Sequence, residues 1–318
     1  MSEEKIIIGQ NTDYPLNGIL TIPSETEHPV PACVFVHGSG SSDMNEHIGK
    51  LYPFRDLAEG LMKYGIASIR YDKRSYAHGR KMLKSKQLIT VREETIEDAI
   101  LAADLLRNDP RIDSEKIFII GHSMGAMLAP RIDHEGGNFK GLIMMAGSPF
   151  RLEEILQRQI SEISEHSNAL VRWIINKQAS KLTKQFDGLY EKDIEETKKI
   201  RMGGGTTLYY FREMGDHPVS MYLKSNEKPI LIMQGEKDFQ AKADPDYREF
   251  QNMLSDKDNV TFRLFPGLNH LFTVALSDDI SKSKNEYSKE RHIPDEVIRT
   301  IAEWIFDNCK EEQEEHSV

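Results

Sequence analysis

A mostly parallel central sheet with helices on both faces, an α/β architecture, is the fold this sequence predicts, and three observations predict it. Short apolar runs rich in β-branched residues, as in strands buried on both faces, recur at Pro31 to Val36, Ile117 to Ile120 and Pro229 to Gly235. Segments with apolar residues at helical spacing separate such runs, as a parallel sheet with crossover helices requires. Between 151 and 227 strand signals vanish and helical periodicity takes over, which marks an inserted unit.

Lys5 to Ile8 and Gly18 to Ile22 read as an antiparallel pair at a sheet edge, joined by the turn-rich segment around Asn11 to Pro15. Pro31 to Val36 ends in His37-Gly38-Ser39-Gly40-Ser41-Ser42, small residues that leave backbone N–H groups free to face a ligand. Phe54, Leu57, Leu61 and Met62 predict a helix that Gly65 stops, and Ile66 to Tyr71 is the next strand. The charged stretch Asp72 to Gly79 reads as a loop, with Asp72 and Arg74 expected to pair and His78 a loop residue or substrate neighbour. Thr90 and Glu93 form a capping-box signature for a helix through Arg107.

The run Ile117 to Ile120 leads straight into Gly121-His122-Ser123-Met124-Gly125, followed by the helix-favouring Ala126 to Ala129. A serine on a tight strand-to-helix turn needs small neighbours two residues either side, because a Cβ there collides with crossing backbone. Its hydroxyl then stands clear of the sheet beside the positive end of a helix. After the strand Phe139 to Ala146 comes the helical stretch, with Leu152, Ile155, Leu156, Ile160 and Ile163 on one face. Gly203-Gly204-Gly205 is either a hinge or a plain connector, and Tyr209, Tyr210 and Phe211 a candidate pocket wall. The chain thus divides into a core of 1–150 and 228–318 and a helical cap of 151–227, placed to act as a lid at the sheet's carboxyl edge. Asp238 follows the strand ending at Gly235, and His270 follows the strand Val260 to Phe265. Ser277 to Arg291 reads as a polar surface loop and Pro294 to Cys309 as a terminal amphipathic helix.

Ser123, Asp238 and His270 each follow a predicted strand, so one sheet edge gathers a nucleophile, a carboxylate and a base. A neutral serine hydroxyl needs an adjacent imidazole to take its proton, and the imidazole needs a carboxylate to fix its tautomer. Glu236 is the rival carboxylate. His37-Gly38-Ser39-Gly40, Arg70-Tyr71-Asp72-Lys73-Arg74, Gly121 to Gly125, Gln234 to Asp238 and Pro266 to His270 together resemble the α/β-hydrolase superfamily, and within it the serine esterase and dienelactone-hydrolase-like group. Members similar to it cleave carboxylic esters, and some resemble feruloyl or cinnamoyl esterases with a helical cap. The resemblance implies Ser123 as nucleophile, His270 as general base then acid, Asp238 as its orienting carboxylate, and the backbone N–H groups of Ser39 and Met124 as oxyanion hole. His122 reads as a packing residue. Dienelactone hydrolases carry cysteine where Ser123 stands, and the superfamily's dehalogenases carry aspartate, so neither chemistry is expected.

A serine esterase forming an acyl-enzyme on a small or medium carboxylic ester is the function expected. A thioesterase or peptidase using the same triad is the alternative, and a non-catalytic binding protein on the same scaffold is a third reading. No metal and no organic cofactor is called for. The formal net charge of -10 argues against nucleic acid or an anionic membrane as partner. The acidic start and the lack of a long apolar run point to a cytoplasmic chain acting on a small-molecule ester. Cys33 and Cys309 read as small core residues in a reducing compartment. Oligomeric state stays open, a homodimer included.

Overall fold

The computed structural model describes residues 2–24, 27–85 and 88–310. Its strands are β1 (Ser2–Ile8), β2 (Leu16–Ile22), β3 (Val30–Val36), β4 (Ala67–Tyr71), β5 (Ile112–His122), β6 (Gly141–Met145), β7 (Ile230–Gly235) and β8 (Val260–Phe265). They form one eight-stranded sheet in the order β1-β2-β4-β3-β5-β6-β7-β8. β2 pairs antiparallel with β1 and with β4, and every pairing from β4 to β8 is parallel. The antiparallel β1–β2 pair and the parallel pairings beyond β4 follow from connection length. A short turn joins β1 to β2, whereas helices carry the later crossovers.

Alternation along β5 shows why the sheet is covered on both sides. Ile117 and Ile119 enter the core beneath α3 (Glu97–Arg107) and α4 (Met124–Ile132), while Phe118 and Ile120 enter the opposite core beneath α1 (Pro53–Lys63) and α12 (Asp295–Cys309). Half of the capping box before α3 is formed: Glu93 Oε2 accepts from the Thr90 backbone N–H at 2.7 Å and from its hydroxyl at 2.6 Å, while the hydroxyl oxygen accepts from the Arg92 N–H at 3.2 Å.

Between β6 and β7 lie five α-helices, α5 (Leu152–Glu165), α6 (Ala169–Phe186), α7 (Ile194–Lys199), α8 (Leu208–Asp216) and α9 (Val219–Ser225). α5 is fastened to the segment that follows β7. Arg158 Nη2 donates to Asp246 Oδ2 at 2.6 Å, Gln159 Nε2 to the Gln240 carbonyl at 3.1 Å, and Lys242 Nζ to Glu162 Oε1 at 2.7 Å. That segment leads through a short turn of helix into α10 (Arg248–Met253).

Three local expectations are corrected. The charged stretch after β4 is a helix, α2 (Arg74–Lys84), kinked where His78 leaves helical geometry. It lacks an apolar stripe, since only Arg74 and Met82 are buried, so periodicity could not reveal it. Arg74 does not pair with Asp72: its Nη2 donates to Asp98 Oδ1 on α3 at 2.5 Å, and Asp72 accepts from the Met44 N–H at 3.0 Å. The segment 277–291 is not simply a surface loop, because it contains the turn α11 (Ser283–Glu286), whose Glu286 is fully buried. Among the described residues no helix is long and apolar enough to cross a membrane.

Candidate active site

Ser123 stands between β5 and α4 with φ 53° and ψ -117°. Such a conformation is costly for a residue with a side chain and persists only where the surroundings over-determine it. The flanking glycines show what does so. A Cβ on Gly121 would lie 2.3 Å from the Gly125 carbonyl oxygen, and one on Gly125 would lie 2.1 Å from the Val36 carbonyl oxygen. Backbone therefore closes on the serine from both sides.

Asp238 and His270 are brought together: His270 Nδ1 lies 2.7 Å from Asp238 Oδ2, both side chains buried. Gln234 Nε2 also donates to Oδ2 at 2.8 Å, and the backbone N–H groups of Gln240 and Ala241 donate to Oδ1 at 2.7 and 3.0 Å. Four donors hold the carboxylate in one orientation. With Nδ1–H committed to Asp238, the neutral imidazole presents Nε2 as an acceptor. Glu236 is exposed and instead accepts from the Gly267 N–H at 3.0 Å.

Ser39, Ser123, Met124 and His270 line one pocket of about 50 Å³, walled by Leu152, Ile155 and Leu156 of α5. Among the described residues neither the Ser39 nor the Met124 N–H has an acceptor; the latter is the first of its helix, where no intrahelical partner exists. Ser123 Oγ likewise makes no hydrogen bond to His270 among the described residues; such bonds are often long until substrate binds. Tyr210 and Phe211 do not wall this pocket. They sit on the buried face of α8, where the Tyr210 hydroxyl donates to Glu94 Oε2 at 2.8 Å.

His122 is no packing residue. Its Nδ1 lies 2.9 Å from Glu46 Oε2 as an ion pair, and its Nε2 lies 2.9 Å from the His270 carbonyl oxygen. Burial alone would raise the Glu46 carboxyl, but the His122 charge opposite and the Gly38 N–H outweigh it and hold it below its ordinary value. Burial would equally lower His122, and Glu46 outweighs it and raises the imidazole. Both shifts favour the charged form of their group, whereas burial pushes His37 down to about 4 and favours its neutral form. Glu286 went unseen in the sequence as a support: it accepts from Asn269 Nδ2 at 2.7 Å, bracing the loop that carries His270. Its polar sequence context carries no sign of burial.

This strand order, with a strained serine after β5 and a hydrogen-bonded aspartate and histidine after β7 and β8, defines an α/β-hydrolase fold. A family model described as serine aminopeptidase, S33, matches residues 27–274. The chain is 31% identical over 299 residues to the esterase EstD of Thermotoga maritima, spanning 93% of this chain and 67% of that protein. Similar solved structures include Est1E from Butyrivibrio proteoclasticus, with TM-score 0.57 and 16% identity over 96% of this chain and 98% of that one. The Pyrococcus furiosus esterase Pf2001 is alike at TM-score 0.57 and 17% identity, over 96% of this chain and 91% of that one. This chain belongs to the serine aminopeptidase S33 family of the α/β-hydrolase superfamily.

Proposed function

We propose that the protein is a serine esterase that cleaves small carboxylic esters through an acyl-enzyme. The observation that carries the reading is the 2.7 Å contact of His270 Nδ1 with the buried Asp238, made by a histidine that lines one pocket with Ser123. His270 Nε2 takes the Ser123 proton as Oγ attacks the ester carbonyl, and Asp238 stabilises the imidazolium that forms. The Ser39 and Met124 N–H groups receive the developing oxyanion. His270 then protonates the departing alcohol, and water repeats the sequence to release the acid. The esterase EstD relative supports the same reaction class.

Two further features refine the substrate. The pocket volume of about 50 Å³ suits a short acyl group, and α5, the first helix of the 151–227 cap, supplies its apolar wall. The family's name raises peptide cleavage as a second reading. An aminopeptidase needs a carboxylate to receive the substrate's α-ammonium, yet none of the described pocket residues is Asp or Glu. That favours the ester. Thioester cleavage differs only in the leaving group and is compared directly by running acetyl-CoA beside p-nitrophenyl acetate.

The test is Ser123→Ala in purified protein, together with a fluorophosphonate probe. Loss of p-nitrophenyl acetate hydrolysis by at least about 10³-fold, and labelling of the wild type at Ser123 alone, are expected. Undiminished hydrolysis in the variant sinks the nucleophile assignment, and an unlabelled, inactive wild type supports the binding-protein reading instead.

A further inference from the structure

Among the buried cations of the described residues, Lys73 is the one that reaches the Ser39 loop, and the chemistry above gives it no role. Lys73, just past β4, is 1% exposed, and its Nζ donates to the Gly38 carbonyl at 2.8 Å. Its nearest carboxylate is Glu94, at 3.7 Å from Nζ, and Glu94 in turn accepts the Tyr210 hydroxyl from α8 at 2.8 Å. On the other side of the same glycine, the Gly38 N–H donates to Glu46 Oε1 at 2.8 Å. Two buried side chains of opposite charge therefore grip Gly38 at both ends. Burying a lysine costs several kcal/mol, and an apolar side chain of similar length often serves stability as well. Stability alone does not account for a cation here.

The carbonyl that Lys73 holds belongs to the peptide plane whose N–H is that of Ser39. The cis bond among the described residues is Asp244–Pro245, so the Gly38–Ser39 peptide is trans. In a trans peptide the C=O and N–H point in opposite directions, and fixing one aims the other. A cation on the carbonyl also withdraws electron density from the amide, which strengthens the N–H as a donor. Gly38 lies close over the nucleophile, where an added Cβ would be 3.1 Å from Ser123 Cβ.

We propose that Lys73 is a positioning residue of the oxyanion hole, aiming and polarising the Ser39 N–H through the Gly38 carbonyl, and that Tyr210 of the 151–227 insertion holds it in place through Glu94. The inference rests on the esterase reading above. It makes the insertion part of the catalytic frame as well as of the pocket wall.

The decisive variant is Lys73→Met/Glu94→Gln, which removes the cation without stranding a buried carboxylate and keeps a partner for Tyr210. Tyr210→Phe is its milder companion, deleting one hydroxyl. Both are assayed with p-nitrophenyl acetate and with a trifluoromethyl ketone, whose adduct with Ser123 carries an oxyanion. Thermal unfolding checks that each is folded. The double variant is expected to lose about 10²-fold in kcat with KM within about twofold, and the inhibitor to weaken by a matching factor. Tyr210→Phe should lose about threefold to tenfold in kcat with the same KM and inhibitor pattern. A folded double variant with kcat and inhibitor affinity within about twofold of wild type overturns the proposal, as does a rise in KM alone. Should the double variant not fold, an unchanged Tyr210→Phe overturns it. A wild type that hydrolyses no ester fails the esterase reading instead, so the two failures are distinct.

Discussion

Replacing Asp238 by asparagine tests the logic of the site more sharply than replacing Ser123, because size and shape are kept while one negative charge and one donor-acceptor pattern change. Oδ1 accepts two backbone N–H groups, from Gln240 and Ala241, so an asparagine must place its carbonyl oxygen there. Its NH2 group then takes the place of Oδ2, facing His270 Nδ1 and the Gln234 amide. An NH2 group cannot accept from Nδ1–H, so the imidazole shifts its proton to Nε2 and can no longer take the serine proton. The wrong tautomer costs about 10⁴-fold in kcat in an unrelated serine hydrolase, equivalent to about 5 kcal/mol of barrier. A similar loss is expected for Asp238→Asn with p-nitrophenyl acetate, with KM changed little. Thermal unfolding confirms the fold, and Ser123→Ala sets the floor of the assay. A folded Asp238→Asn protein that keeps more than about a tenth of wild-type kcat refutes the tautomer argument.

Gly125→Ala puts a Cβ 2.1 Å from the Val36 carbonyl oxygen, backbone that cannot yield cheaply; a loss of about 3 kcal/mol is expected from urea unfolding, and less than about 1 counts against the close-packed turn. Leu156→Ala enlarges the α5 wall of the pocket and should raise kcat/KM for p-nitrophenyl octanoate relative to acetate by about tenfold, whereas an unchanged ratio removes α5 from acyl selection. The Glu46 and His122 pair predicts a pH dependence. The His122 imidazole is raised above its ordinary 6.5 in the folded protein, so its contribution to stability is fully present below pH 6.5 and fades as pH rises through the raised value. Glu46 is lowered, so its contribution fades only in acid, as pH falls below the ordinary 4.5. The stability gap between wild type and Glu46→Gln, from urea midpoints, should therefore be larger at pH 6 than at pH 9; a gap that widens with pH contradicts a charged pair.

The residues themselves determined the parallel sheet, the serine turn and the helical character of the insertion. Each is a local matter. A short β-branched apolar run such as Ile117 to Ile120 suits a doubly covered sheet, and glycine at 121 and 125 answers a steric demand within a few residues. Chain order also placed Asp238 and His270 after consecutive strands of the sheet, which is why both could be named. What the residues could not disclose were partnerships between segments far apart in sequence. Whether Glu236 or Asp238 faces His270 depends on how the turn after β7 is braced. His122 reads as packing until Glu46, from a different loop, is set against it. Lys73, Glu94 and Tyr210 look like scattered polar residues, and only folding brings a strand end, a helix start and the insertion together around one glycine carbonyl. Periodicity records which face of an element is apolar. It carries no record of which buried charge meets which, because that pairing is settled by the tertiary fold, where leaving either partner alone would cost several kcal/mol.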